Sequence, residues 1–153
     1  MRKYYEAMLN HFRELHAEAL KAVDVLPPEA LDWVPGPEMN SLSVLITHFS
    51  GAERYWLGDV VKGDPSFRNR EAEFVTKGLD AASLKQRLAD LDAYEAAVFD
   101  NLRLRDLDTW KVSPRDGRKV TIAYALLHAM RHTSVHLGHI EVLVQQWKQK
   151  QAG

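Results

Sequence analysis

Four of the seven histidines in this chain fall within one short stretch: His128, His132, His136 and His139. On an α-helix each residue advances by about 100°. With His132 set at zero, His136 projects at about +40°, His139 at about -20° and His128 at about -40°, so all four share one narrow face. Ala125 and Leu143 project onto the same line, at about +20°, while the charged Glu141 lies opposite. The histidines therefore occupy positions that would otherwise belong to a core. A neutral imidazole carries one donor and one acceptor, and leaving either buried without a partner costs on the order of 1–3 kcal/mol. A divalent cation would accept the lone pairs and keep the rings neutral. Histidines at i and i+4 stand one turn apart, the spacing with which a helical His-Glu-x-x-His motif grips zinc. Two registers satisfy it here, His132 with His136 or His128 with His132. A third ligand should come from another helix, and His48 is the candidate, because Val44, Leu45, Ala52 and Tyr55 project within about 60° of it. Three neutral histidines plus an open position is the layout of a catalytic zinc site. His16, beside Phe12 and Leu20, reads instead as a satisfied core histidine, His11 as exposed, and Glu53, which projects well away from His48, as a surface residue or a partner for neighbours such as Arg54.

Other chemistries lack their residues. The chain has no cysteine, which excludes disulfide scaffolds, thiolate metal sites and cysteine nucleophiles. No Glu-x-x-His is present, against a di-iron carboxylate bundle, and no His-Glu-x-x-His, against the zinc-protease arrangement. No G-x-S-x-G, P-loop or dinucleotide fingerprint occurs. Twenty basic against twenty-one acidic side chains leave a formal net charge of -1, without the footprint of a nucleic-acid-binding or membrane-surface domain. No segment reaches the roughly 18 apolar residues of a membrane span, and no apolar run follows the early charges Arg2 and Lys3. A cytoplasmic location is the expectation.

The 153 residues suit a single domain spanning 1–153. Four segments carry helical periodicity: about Arg2 to Leu26, stopped by Pro27-Pro28; about Ser41 to Val61, with capping oxygens before it and Gly63 after; about Ala81 to Leu102, with Asp80 as N-cap; and about Thr121 to Lys150, with Thr121 as cap. The connections 27–40, 63–80 and 103–120 are long, with Trp33 and Trp110 as apolar anchors in two of them. Ser113-Pro-Arg-Asp-Gly117 reads as a turn closing a small β-hairpin before the last helix. The fold class expected is all-α, a four-helix bundle with long crossover loops.

Three stretches also resemble a known family. Asn40-Ser-Leu-Ser-Val-Leu-Ile-Thr-His48 with Gly51-Ala-Glu-Arg-Tyr-Trp-Leu57, then Leu127-His-Ala-Met-Arg-His-Thr-Ser-Val-His-Leu-Gly-His-Ile140, and the linker Leu31-Asp-Trp-Val-Pro-Gly-Pro37, are similar to the DinB-like superfamily. The resemblance implies a three-histidine divalent site, filled by zinc or nickel, whose ligands fall on His48, His132 and His136. Where the family often has His-Arg-Gly-Gln-Ile, this chain has His136-Leu-Gly-His-Ile140, so roles of that arginine and glutamine do not transfer. Tyr55, His128 and His139 remain as substrate-contacting or outer-sphere candidates, with no acid or base assigned. The resemblance also implies a transferase that joins a low-molecular-weight thiol cosubstrate to a small electrophile, with the metal favouring the thiolate. The alternatives are a metal-dependent hydrolase of a small substrate and a non-catalytic metal- or ligand-binding stress protein. A homodimer is a weaker implication.

Overall fold

The computed structural model describes residues 2–153. Helix α1 (Lys3–Val25) ends where Leu26 returns its backbone N–H to the Ala22 carbonyl, just before the two prolines. A 3-10 turn at Pro28–Ala30 leads into the crossover. Helix α2 (Leu42–Arg54) starts on Ser41, whose hydroxyl accepts from the Val44 N–H at 3.2 Å. It continues as a π-helical stretch, Tyr55–Lys62, and stops at Gly63, which takes the left-handed φ of 75° that a side chain would disfavour. The next connection carries a short helix, α3 (Arg70–Glu73), capped by Asn69. Helix α4 (Ala81–Asp100) is capped by Asp80. Strands β1 (Trp110–Val112) and β2 (Lys119–Thr121) pair antiparallel, Trp110 opposite Thr121. The turn between them closes with Gly117 N–H donating to the Ser113 carbonyl at 2.8 Å. Helix α5 (Ile122–Ala152) follows directly, capped by Thr121.

The four long helices α1, α2, α4 and α5 form the bundle, and the hairpin stands where the turn signal put it. The π-helical end of α2 and the short α3 carry no periodic signature and were not expected. Trp33 does anchor its loop, its ring centroid 5.2 Å from that of Trp147. Trp110 does not: it is 68% exposed, because a two-stranded hairpin has no second layer to cover that face.

The core is divided. One apolar cluster holds Tyr5, Phe12, Leu57, Val98, Phe99 and Leu126 toward the hairpin end. The other holds Ala22, Leu26, Leu45, Phe49, Leu88, Ile140 and Leu143 toward the opposite end. Between them every bundle helix contributes one buried polar side chain: His16 from α1, Glu53 from α2, Glu95 from α4 and Thr133 from α5. Glu53 is thus not the surface residue that its projection away from His48 suggested. Helix α2 is buried almost all round, so the face turned away from His48 meets the bundle interior, not water.

Candidate metal centre

The one-turn spacing on α5 and the crossing of α2 bring three imidazoles together. The ring centroid of His48 lies 5.0 Å from that of His132 and 4.8 Å from that of His136. Between His132 and His136 the centroids are 4.4 Å apart and the two Nε2 atoms 3.2 Å apart. One ring nitrogen from each of the three lies within 4.8 Å of the others. Of the two sequence registers, the structure brings the His132–His136 pair to His48. His128 stands further along, its centroid 6.4 Å from His132 and 4.6 Å from Trp56. His139 is exposed, with its ring 5.4 Å from His136. Tyr55 is buried and turned to the hairpin, its hydroxyl 2.7 Å from Ser113 Oγ and accepting from the Arg115 N–H.

The protonation states follow from the surroundings. Burial, then the neighbouring rings of His136 and His48, push the His132 pKa down to about 3. Burial and the rings of His48 and His139 push His136 down to about 4. Both rings are therefore neutral at ordinary pH and offer lone pairs. Burial and the guanidiniums of Arg118 and Arg131 lower His128 as well. His48 is oriented from behind: its Nδ1 lies 2.9 Å from Glu73 Oε2. Glu73 in turn accepts from Arg68 Nε at 2.6 Å and from Arg68 Nη2 at 2.7 Å. Burial raises the Glu73 pKa, but the Arg68 guanidinium and His48 outweigh it, so the carboxyl stays ionised. An ionised Glu73 can only accept, so His48 Nδ1 carries the proton of that contact and Nε2 is the nitrogen that remains to bind a cation. Gly51 is required at this contact, because a Cβ there would collide with the Glu73 carboxylate.

Neither Arg68 nor Glu73 was found in the sequence reading. Both come from the 63–80 connection, where no periodicity tells which face a residue presents; the Asn69 cap was the available local signal. The same two residues also line a cleft of about 1040 Å³ bordered by Thr47, Arg87 and Tyr94.

The donor set suits a divalent cation. The Nδ1 atoms of His132 and His136 are buried without partners, and their Nε2 atoms are within hydrogen-bond distance, so one ring donates to the other and no cationic ring is needed. A cation between the rings would draw on their lone pairs, and the carboxylate–histidine contact from Glu73 to His48 is the outer-sphere partner such sites use.

The four-helix bundle with long connections is a fold shared with solved structures described as DinB-like. Among solved structures, YfiT from Bacillus subtilis, described as "a probable metal-dependent hydrolase with an unusual four-helix bundle topology", matches at 16% identity over 97% of this chain and 90% of its own, with a TM-score of 0.76. A DinB-like protein from Bacillus cereus ATCC 10987 matches at 20% identity over 94% and 92% of the two chains, TM-score 0.74. A mycothiol-dependent maleylpyruvate isomerase matches at 14% identity and TM-score 0.67, over 89% of this chain but 60% of that enzyme. The chain belongs to the family described as protein of unknown function DUF1572, whose model matches residues 1–152. No curated protein matches it.

Proposed function

We propose that this protein is a metal-dependent enzyme for a small molecule, with His48, His132 and His136 as the ligands of one divalent ion, zinc or nickel. The observation that carries the reading is the convergence of three imidazoles from two helices, one of them oriented by a carboxylate. When bound, the ion supplies Lewis acidity that makes a thiol or water a better nucleophile at neutral pH. The chain's residues do the rest. Glu73, held by Arg68, fixes the tautomer and plane of His48. Phe74, with its ring centroid 4.6 Å from that of His48, covers that imidazole and limits water. His128 and His139 flank the centre without occupying it and are placed to meet a substrate.

The finer reading is transfer to a small electrophile of a low-molecular-weight thiol. The chain has no cysteine of its own, so a sulfur nucleophile would arrive as cosubstrate, and the likeness to a mycothiol-dependent enzyme supports this. The second reading, hydrolysis of a small substrate, is favoured by the likeness to YfiT. A cytoplasmic setting fits the first; no helix among the described residues is long and apolar enough to cross a membrane. The test is elemental analysis of protein purified without chelators, followed by turnover of an electrophile panel with and without thiol. One zinc or nickel per chain, lost in His132→Ala, with thiol-dependent turnover, is expected. Turnover unchanged by thiol selects hydrolysis, and a wild type without transition metal overturns both.

A further inference from the structure

The polar layer that divides the core has a composition no packing argument requires. His16 is 1% exposed and Glu53 and Glu95 are fully buried. His16 Nε2 lies 2.8 Å from Glu53 Oε2, and its Nδ1 lies 2.7 Å from Asp92 Oδ1. Glu53 Oε1 accepts from the Thr133 hydroxyl. Both oxygens of Glu95 are buried without a nitrogen or hydroxyl donor, and its carboxyl faces that of Glu53. One atom each of His16, Glu53 and Glu95 lies within 4.8 Å of the others, close enough to share one ion.

We propose that His16, Glu53 and Glu95 form a second cation site, at the middle of the bundle and distinct from the His48–His132–His136 centre, that takes a divalent first-row ion favouring mixed oxygen and nitrogen ligands. Two carboxylates and one imidazole from α1, α2 and α4 match the charge and hardness of such an ion, of which Mn²⁺ is the example. Helix bundles build their metal sites in this way, from side chains of facing helices projecting inward. The Asp92–His16 contact repeats the outer-sphere arrangement of Glu73 and His48, a carboxylate on Nδ1 that directs Nε2 inward. The proton that His16 Nε2 shares with Glu53 and the proton that burial and Glu53 keep on Glu95 both leave to solvent when an ion takes their lone pairs. Thr133 holds the far oxygen of Glu53, which leaves Oε2 for the ion. The bundle alone satisfies the facing carboxyls of Glu53 and Glu95 only by keeping a proton between them, whereas a cation would satisfy both as carboxylates.

The site is sealed, so the full chain is unfolded in guanidinium and refolded with Mn²⁺, then dialysed to equilibrium and analysed for bound metal. The decisive variant is His132→Ala/His136→Ala, which lacks the open centre and leaves the midplane residues in place. It should retain one Mn²⁺ per chain and unfold at a higher temperature with Mn²⁺ than without. Glu95→Gln in the otherwise unchanged chain should lose the midplane ion, its affinity falling by at least the roughly 100-fold that losing an outer partner costs a metal site. It should keep the open centre. A double variant that folds, by circular dichroism, and retains no Mn²⁺ overturns the proposal. So does a Glu95→Gln chain that binds as many ions as the wild type. Failure of the open centre would instead appear as loss of metal from Glu95→Gln with the double variant unaffected.

Discussion

The molecule holds two clusters of metal-ligating side chains, His48–His132–His136 and His16–Glu53–Glu95, and they solve the same problem in opposite ways. In the open cluster three rings face one another, and His132 and His136 stay neutral, down to about 3 and about 4, because burial and the neighbouring rings oppose charge. In the sealed cluster burial also opposes charge on His16, but Glu53 and Asp92 outweigh it and the pKa rises to about 9. What decides is the partner on each nitrogen. His16 has a carboxylate on both sides; His48 has one, and His132 and His136 have none. In the metal-free chain the imidazoles without carboxylates offer lone pairs to a cation, whereas the imidazole between two carboxylates is itself the cation. Glu95, raised by burial and by Glu53, is the remaining imbalance of the sealed cluster.

The largest expected effect breaks that contrast directly. His16→Ala in the metal-free chain leaves Glu53 and Glu95 facing each other without a positive partner and should cost about 3–5 kcal/mol of unfolding free energy. His132→Ala removes a half-buried ring whose Nδ1 is unsatisfied, so lost packing and relieved desolvation nearly offset, and the cost should stay within about 1 kcal/mol. Urea unfolding of both variants measures the difference; equal losses would erase the distinction between the clusters.

The pH dependence comes next and has opposite signs for the two clusters. His16 binds its proton more tightly folded than unfolded, so its contribution is complete below about pH 6.5 and is lost as pH rises through about 9. The difference corresponds to something on the order of 3 kcal/mol. His132 and His136 bind theirs less tightly folded, so their contribution is complete above about pH 6.5 and is lost as pH falls toward about 4 and 3. Stability measured by denaturant from pH 4 to 9.5 should therefore fall off on both sides of the neutral range. His16→Gln should flatten the alkaline limb alone. An alkaline limb that survives the substitution would place the titration elsewhere.

These contrasts also mark what could be read from the sequence. The four helices, their caps at Ser41, Asp80 and Thr121, and the hairpin turn were legible because periodicity and capping chemistry are local. The convergence of His48 with the α5 histidines was legible because each lies on an apolar stripe and apolar stripes meet in a bundle. The partner of His48 was not, since Glu73 reaches it from an aperiodic connection. Glu53 was misplaced for another reason: projection from a single residue assumes a helix with one wet face, and the uncharged run Leu42–Ala52 was the sign that α2 has none. Trp110 failed because side-chain size indicates burial only where a second layer exists.

A smaller effect sharpens the open cluster. Glu73→Gln keeps the shape of the side chain but removes the charge that Arg68 and His48 share. Zinc affinity, measured by competition with a chromophoric chelator, should fall by about 10- to 100-fold. Asp92→Asn, the corresponding change at His16, should leave that affinity unchanged. If it lowers zinc binding as much, the two clusters are coupled through α2 and α5 and not independent.

The smallest expected effect tests whether a residue near the open cluster belongs to it. Tyr55 begins the π-helical stretch of α2, yet its hydroxyl is committed to Ser113 and the Arg115 N–H, tying the bundle to the hairpin. Tyr55→Phe deletes one buried hydroxyl and leaves the ring, so the chain should lose about 1 kcal/mol. Because Ser113 Oγ and the Arg115 N–H lose that partner, the loss should appear as faster hydrogen exchange in β1, β2 and their turn before it appears in α5. Zinc affinity and the alkaline limb should both stay as in the wild type. A change in zinc affinity with unaltered exchange would move Tyr55 from the hairpin's anchor to the metal centre's wall, and would show that the π-helical turn carries strain from one to the other.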